Sequence, residues 1–256
     1  MDKKELLEQL KSTDHDKIRD AILHLENCND LDVVRAIVDT ILHVKSKKVL
    51  TAGLETLLNC ANKEAVAKEA IALIFSKSPK IRHAGITIIV SCGEVAIEIV
   101  KEKLLCSDDF NIRKHALDIL KDIKTEKSLE LISSLLKDEN PNVKYSAVEF
   151  LMEFTQFKDK VVEILLDFIK NEKFDSLYGA TSIASTIIYG HFFDKRFIPL
   201  LRKKLENISD EHIKHWIYKI LIYLGDEDII PEAKENAKKI DMLNVIENDI
   251  TIAKLA

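Results

Sequence analysis

Ile18, Val49, Ile81, Ile112, Val143, Leu177 and Ile213 stand 31, 32, 31, 31, 34 and 36 residues apart. A branched aliphatic residue returning at that interval marks a stacked repeat, and it constrains the fold more than any other feature of the chain. The columns beside it recur as well. One residue on come Arg19, Leu50, Arg82, Arg113, Lys144, Tyr178 and Lys214, mainly basic; four on come Ile22, Gly53, Gly85, Ala116, Ala147, Thr181 and Ile217, mostly small; seven on come Leu25, Thr56, Ile88, Ile119, Phe150, Ala184 and Ile220. Offsets of 0, 4 and 7 share one face of a helix, so the slot heads an apolar stripe. The small residue within it lets a neighbouring helix come close.

The helix boundaries follow the same period. Ser46, Ser78, Asp109, Asn140 and Asp210 stand three residues before the slot as good N-caps, with His15 and Phe174 as the exceptions. Pro79 and Pro141 come next, at the first helical position, where a missing N–H costs nothing. Each slot helix is thus the second of a pair whose first helices lie near 3–11, 31–44, 63–76, 94–105, 126–138, 158–171, 195–206 and 227–239. A last helix near 241–254 carries Leu243, Ile246 and Ile250 on one side and Asn244, Glu247, Asn248 and Thr251 elsewhere, as a solvent-facing cap should. Neither helix of a pair can bury its stripe alone, so successive pairs must stack.

The expected fold is all-α, an α-solenoid (superhelix) of about eight two-helix repeats in a single domain spanning 1–256. Repeat boundaries fall near 1–28, 29–61, 62–93, 94–124, 125–156, 157–192 and 193–225, with a C-terminal cap at 226–256. Six glycines and four prolines are too few to punctuate a many-stranded sheet, and 46% hydrophobic residues suffice to fill a core.

The units "SPKIRHAGITIIVSCG", "DFNIRKHALDILKDI" and "NPNVKYSAVEFLMEF" resemble HEAT repeats of the short class first described in phycobilisome lyases. Pro199 and Pro231, each five residues after an aspartate (Asp194 and Asp226) in a first helix, are similar to that class as well. The resemblance covers nearly the whole chain and implies fold, because the matching residues are those that build the stack. Lyase activity belongs to the historical name of the repeat.

The first segment alternates charge with leucine and has no apolar signal region. The longest charge-free run, Ser176 to Phe193, is too rich in Ser, Thr, Gly and His to span a membrane. With four cysteines and no secretion signal, the chain is placed in the cytoplasm with free thiols. Cys28, Cys60 and Cys92 are one repeat apart. Equivalent positions on stacked helices lie roughly 8–10 Å apart, too far for one zinc, whose ligand sulfurs sit about 2.3 Å from the metal. They read as small apolar fillers at the ends of second helices, in a slot that later repeats fill with Ile123, Phe154 and Leu224. Cys106 ends a first helix and has no partner motif.

His212 and His215 stand three residues apart on a helix, a spacing that holds a metal only with a third ligand. HEAT-repeat deoxyhypusine hydroxylase relies on His-Glu dipeptides for iron, and none of the eight histidines here precedes a glutamate. No nucleophile elbow or phosphate loop is present in the sequence. No metal, cofactor or catalytic residue is assigned, and a small-molecule substrate is disfavoured.

On a wheel of 100° per residue the side opposite the apolar stripe falls at offsets 2, 6 and 9 of each second helix. In HEAT-like arrays this side resembles the concave surface where partners lie. It carries the lysines Lys114, Lys121 and Lys219, the acids Asp20, Glu55, Asp118 and Glu149, and the apolar residues Leu58, Val90, Met152, Ile183 and Ile222. A formal charge of -5 and the lack of a basic track disfavour nucleic acid and the alkylation-repair glycosylase reading. All aromatic residues except Phe75 and Phe110 lie between Tyr145 and Tyr223, and Tyr178 replaces the basic residue of its column. The uncharged helix 176–190 calls for cover on most sides, or else forms a groove floor.

The sequence therefore points to a non-enzymatic adaptor, a protein-binding scaffold with its candidate contacts at Tyr145, Met152, Tyr178, Ile183, His215, Trp216 and Lys219. The alternative is a nucleic-acid-processing or metal-dependent enzyme using the groove near Tyr178, His215 and Trp216. The basic column, Arg19, Arg82 and Arg113, is expected to bond carbonyls or acids of the adjacent repeat.

Overall fold

A computed structural model describes residues 2–26 and 30–255 of the chain. Its α-helices run in pairs: α1 Lys3–Gln9 and α2 His15–His24; α3 Leu31–His43 and α4 Lys47–Asn59; α5 Lys63–Ile74 and α6 Pro79–Ser91; α7 Ile97–Val100 and α8 Phe110–Ile123. They continue with α9 Glu126–Ser134 and α10 Pro141–Phe150, α11 Lys158–Asn171 and α12 Leu177–Tyr189, α13 Phe197–Leu205 and α14 Glu211–Tyr223, and α15 Ile230–Lys239 and α16 Leu243–Ala253. There is no strand among the described residues. The α7 helix is lengthened by a 3-10 turn at Gly93–Ala96 and a π turn at Lys101–Leu105, so the expected first helix over 94–105 exists but is irregular.

The chain divides into two compact units, Met1–Leu131 and Ile132–Ala256. Within the first, α2, α4, α6 and α8 pack each on the next; within the second, α10, α12, α14 and α16 do the same. First helices form the other row, α3 against α5 and α11 against α13. This is the α-solenoid arrangement, and the apolar stripes close it. Ile18, Ile22 and Leu25 in the first unit, and Ile213, Ile217 and Ile220 in the second, are all buried.

The caps explain where each helix starts. Ser46, Ser78, Asp109, Asn140 and Asp210 all occupy the N-cap, and the side chains of the last three accept backbone N–H bonds there. The exceptions resolve differently. Asp14 caps α2 one residue before His15, and Ser176, not Phe174, caps α12 by accepting from the Gly179 N–H. The slot in the sixth repeat therefore shifts by two residues, from Leu177 to Gly179. Leu177 is exposed, while Gly179, Ile183 and Thr186 are buried.

The small column does what its position requires. A Cβ on Gly85 would lie 2.7 Å from the Cβ of Leu73 and 3.4 Å from the Leu73 carbonyl carbon, so α6 sits almost on the backbone of α5. At Gly53 the obstruction is the outer part of the Ile41 side chain, at 2.7 and 2.8 Å. Alanine should gain up to about 1 kcal/mol of helix propensity at either site. At Gly85 overpacking against an atom that cannot swing away outweighs that gain, with a cost of about 1–3 kcal/mol. Urea titration should therefore show Gly85→Ala clearly less stable than Gly53→Ala. Equal stabilities would mean that the close approach at Gly85 is not a constraint.

The basic column is structural, with one correction. Arg82 Nη1 donates to the Ser76 carbonyl at 2.8 Å, and Arg113 Nη1 to those of Ser107 and Asp108 at 2.8 and 3.2 Å. These carbonyls belong to the turn of the same pair, not to the adjacent repeat. Lys144 does reach across, to Glu172 at 3.2 Å.

Candidate protein-binding face

The expected contacts separate by burial. Tyr145 is 3% exposed, Ile183 is wholly buried and His215 is 1% exposed, so these three do not present a surface to a partner. Met152 and Trp216 are half-buried and Tyr178 is exposed. The reason is the packing order. Within the second unit α10 is covered by α12, α12 by α10 and α14, and α14 by α12 and α16, and offset arithmetic on an isolated helix assigns those covered flanks to solvent.

Tyr145 shows how this works locally. Its ring lies against Gly179, where a Cβ would come within 2.7 Å of the phenol, and edge-on to Tyr178 with ring centres 5.2 Å apart. Its hydroxyl donates to Glu172 Oε1 and accepts from Ser176 Oγ. The tyrosine thus joins α10 to α12 and to the turn between α11 and α12. With Ser176 as cap, Ala180 rather than Tyr178 occupies the basic column. The uncharged α12 is a buried helix along most of its length. Its Ser182 and Thr186 hydroxyls donate to Glu149 and to the Val148 carbonyl.

His215, Lys219 and Tyr223 lie at four-residue spacing on α14 and meet Asp249 of α16. Lys219 Nζ is 3.1 Å from Asp249 Oδ1, with both side chains largely buried, and Tyr223 donates to the same oxygen at 3.3 Å. Burial pulls the His215 imidazole below its ordinary range, opposing the pull of Asp249, and its Nδ1 has no hydrogen-bond partner. Lys219 also lies 5.4 Å from the centre of the Trp216 ring. Lys219 therefore ties two helices together. His212 is exposed while His215 is buried, so the pair does not converge, and no three metal-ligating residues do so among those described.

Cys60 and Cys92 sit buried at the C-caps of α4 and α6, Cys106 is exposed, and Cys28 lies outside the described residues. Ile222 joins Ile183 in the core, while Leu58 and Val90 are half-buried.

The exposed aromatic surface lies elsewhere in the second unit, where the second helices end. Tyr189 is 67% exposed and Phe193 37%. Phe193 stacks on Tyr223 with centres 6.3 Å apart and planes 18° from parallel, and His191 stands edge-on to Phe193 at 5.7 Å. The turn that builds this ledge closes α12 with paired bonds, His191 N–H to the Ile188 carbonyl and Phe192 N–H to that of Ile187. The same closure ends α14, where Gly225 occupies the left-handed position with φ 79°. Here His191 takes it, at φ 54°, where glycine is the relaxed choice. The chain thus places an imidazole beside Phe193 at a backbone cost of order 1–3 kcal/mol.

No helix among the described residues is long and apolar enough to cross a membrane. The family described as HEAT repeats matches residues 97–185. None of the curated proteins compared with the chain matches it in sequence. Among solved structures the chain is similar to an engineered protein, at 14% identity and TM-score 0.40, covering 98% of this chain and 78% of that one. It is also similar to a designed armadillo repeat protein, at 15% identity and TM-score 0.35 over 86% of this chain and 98% of that one. A third likeness, at 15% identity and TM-score 0.35 over 95% of each chain, is the complex of CpcE and CpcF of phycocyanin lyase from Nostoc sp. PCC7120. The HEAT-repeat match thus spans α7 to the middle of α12, and further helix pairs occupy the chain on either side of it.

Proposed function

We propose that the chain is a non-enzymatic adaptor that holds a partner protein on the exposed aromatic ledge of its second unit, formed by Tyr189, His191, Phe193 and Tyr223. The observation that carries this reading is the ledge itself. Large rings normally go inside, and here several share one exposed surface in a chain with 32% charged residues. Aromatic side chains anchor protein interfaces because they bury much area at little entropic cost. The strained His191 is consistent with a side chain kept for contact rather than for stability.

The test is site-specific photocrosslinking in native extract, with a photoreactive phenylalanine at Tyr189 or Phe193 and at the exposed Lys68 as control. The reading expects a discrete adduct from the ledge positions and none from the control. Once that partner is purified, Tyr189→Ala combined with Phe193→Ala should weaken it at least about 30-fold, the loss typical of two anchor residues. Identical adduct patterns at ledge and control, or an unchanged affinity in the double variant, would sink the assignment.

A further inference from the structure

A second surface of the same unit is independent of the ledge. Between residues 133–138 and α11 runs an open groove of about 750 Å³. Its origin is local. The helix α9 ends in two serines, Ser133 and Ser134, and tightens into a 3-10 turn at Leu135–Lys137, so small side chains face the fourteen-residue α11. Leu136, Ile164 and Phe168 make the apolar floor.

The rim carries Asp138, Glu163, Asp167 and Glu172 against Lys137 and Lys144. Lys144 is committed to Glu172, and Glu163 also receives Arg196 at 2.6 Å but keeps an exposed side chain. Glu163 and Asp167 stand at i, i+4 on α11, a spacing at which like charges repel and destabilise a helix. The structure retains that pair beside an apolar floor, and Asp167 accepts a hydrogen bond from the neutral Asn171. An acidic rim over an apolar floor is the complement of a basic amphipathic segment.

We infer that this groove docks a Lys/Arg-bearing segment of a partner protein. Its apolar side chains enter over Leu136, Ile164 and Phe168, and its cations meet Asp138, Glu163 and Asp167. This is the helix-in-groove mode with charge selection at the rim.

The test uses the full chain and three fluorescent peptides of one length: leucine and lysine at amphipathic spacing, leucine and glutamate in the same pattern, and serine and lysine at the same charge. Fluorescence anisotropy is read at low salt and at about 0.5 M, where screening leaves only close pairs. The expected result is that the Leu/Lys peptide alone binds tightly, that salt weakens it, and that Asp167→Lys or Ser134→Trp lowers its affinity at least tenfold. Thermal melts establish that each variant is folded, and two separate substitutions guard against failure of either one.

Tight binding of the Leu/Glu or Ser/Lys peptide would overturn the proposal, as would indifference to both variants. Full competition by spermine at equal charge would identify a polyamine site, and self-association abolished by Asp167→Lys would identify a second copy as the occupant. Either result overturns it. Loss of binding in the Tyr189→Ala, Phe193→Ala variant but not in the groove variants would assign the peptide to the ledge and remove the groove, leaving the adaptor reading intact.

Discussion

Replacing Phe154 by alanine lowers the unfolding free energy by about 3–5 kcal/mol. The ring follows the 3-10 turn that extends α10 and is among the largest wholly buried side chains of the chain. Its removal forfeits transfer energy and leaves a hole that neighbours fixed by their own stacking fill only in part. The measurement is the urea midpoint at constant slope, with Phe75→Ala as control. Phe75 is 54% exposed, and its loss should fall within about 0.5 kcal/mol of the unsubstituted chain. A Phe154→Ala chain as stable as that control would mean that the end-of-helix slot, held by Cys60 and Cys92 in earlier repeats and by Leu224 in the seventh, is not a packing position.

Asp249→Ala should cost a comparable amount for a different reason. The carboxylate is buried against Lys219 and Tyr223, and the substitution leaves the Lys219 ammonium buried next to His215 without its counter-charge. Breaking such a pair from one side costs about 3–5 kcal/mol. Replacing both partners by apolar residues of similar size, Lys219→Met with Asp249→Leu, should recover most of the loss, because the desolvation of two charges disappears together with their attraction. Hydrogen exchange along α16 is the sensitive readout. In Asp249→Ala its amides should exchange faster than those of α10, and in the double variant they should slow again. If the double variant is as unstable as the single one, the pair contributes net attraction that apolar packing does not replace.

The repeat was legible in the sequence because it is written by residues that each do one job. Ser, Asp and Asn stop the chain and start a helix, Pro follows, and the aliphatic stripe faces inward. The slot moves at α12, where Leu177 was expected three residues after Phe174 and Ser176 is the cap instead. The turn decided it: Ser176 has the side chain to cap, and Gly179 has the space for Tyr145. The candidate surface was less legible. Tyr145 and His215 lie on the correct side of an isolated helix and on a covered flank of a stacked one. The ledge lies outside the helical offsets because His191 and Phe193 follow α12 and because Tyr189 and Tyr223 are the last residues of their helices. Its signal was nonetheless present in "YGHFF", 189–193, which puts a histidine where the third and seventh repeats put Gly93 and Gly225.

Within each unit a second helix rests on the one that comes a single repeat later in the chain, as α2 does on α4 and α10 on α12. The loop that must close to form any such contact is therefore always about the same short length, however many pairs are present. Folding of each unit is consequently governed by local closure and should be fast for its size. Adding or deleting one whole pair at a unit's end should change stability by one pair and one junction, while the remaining pairs keep the neighbours they have.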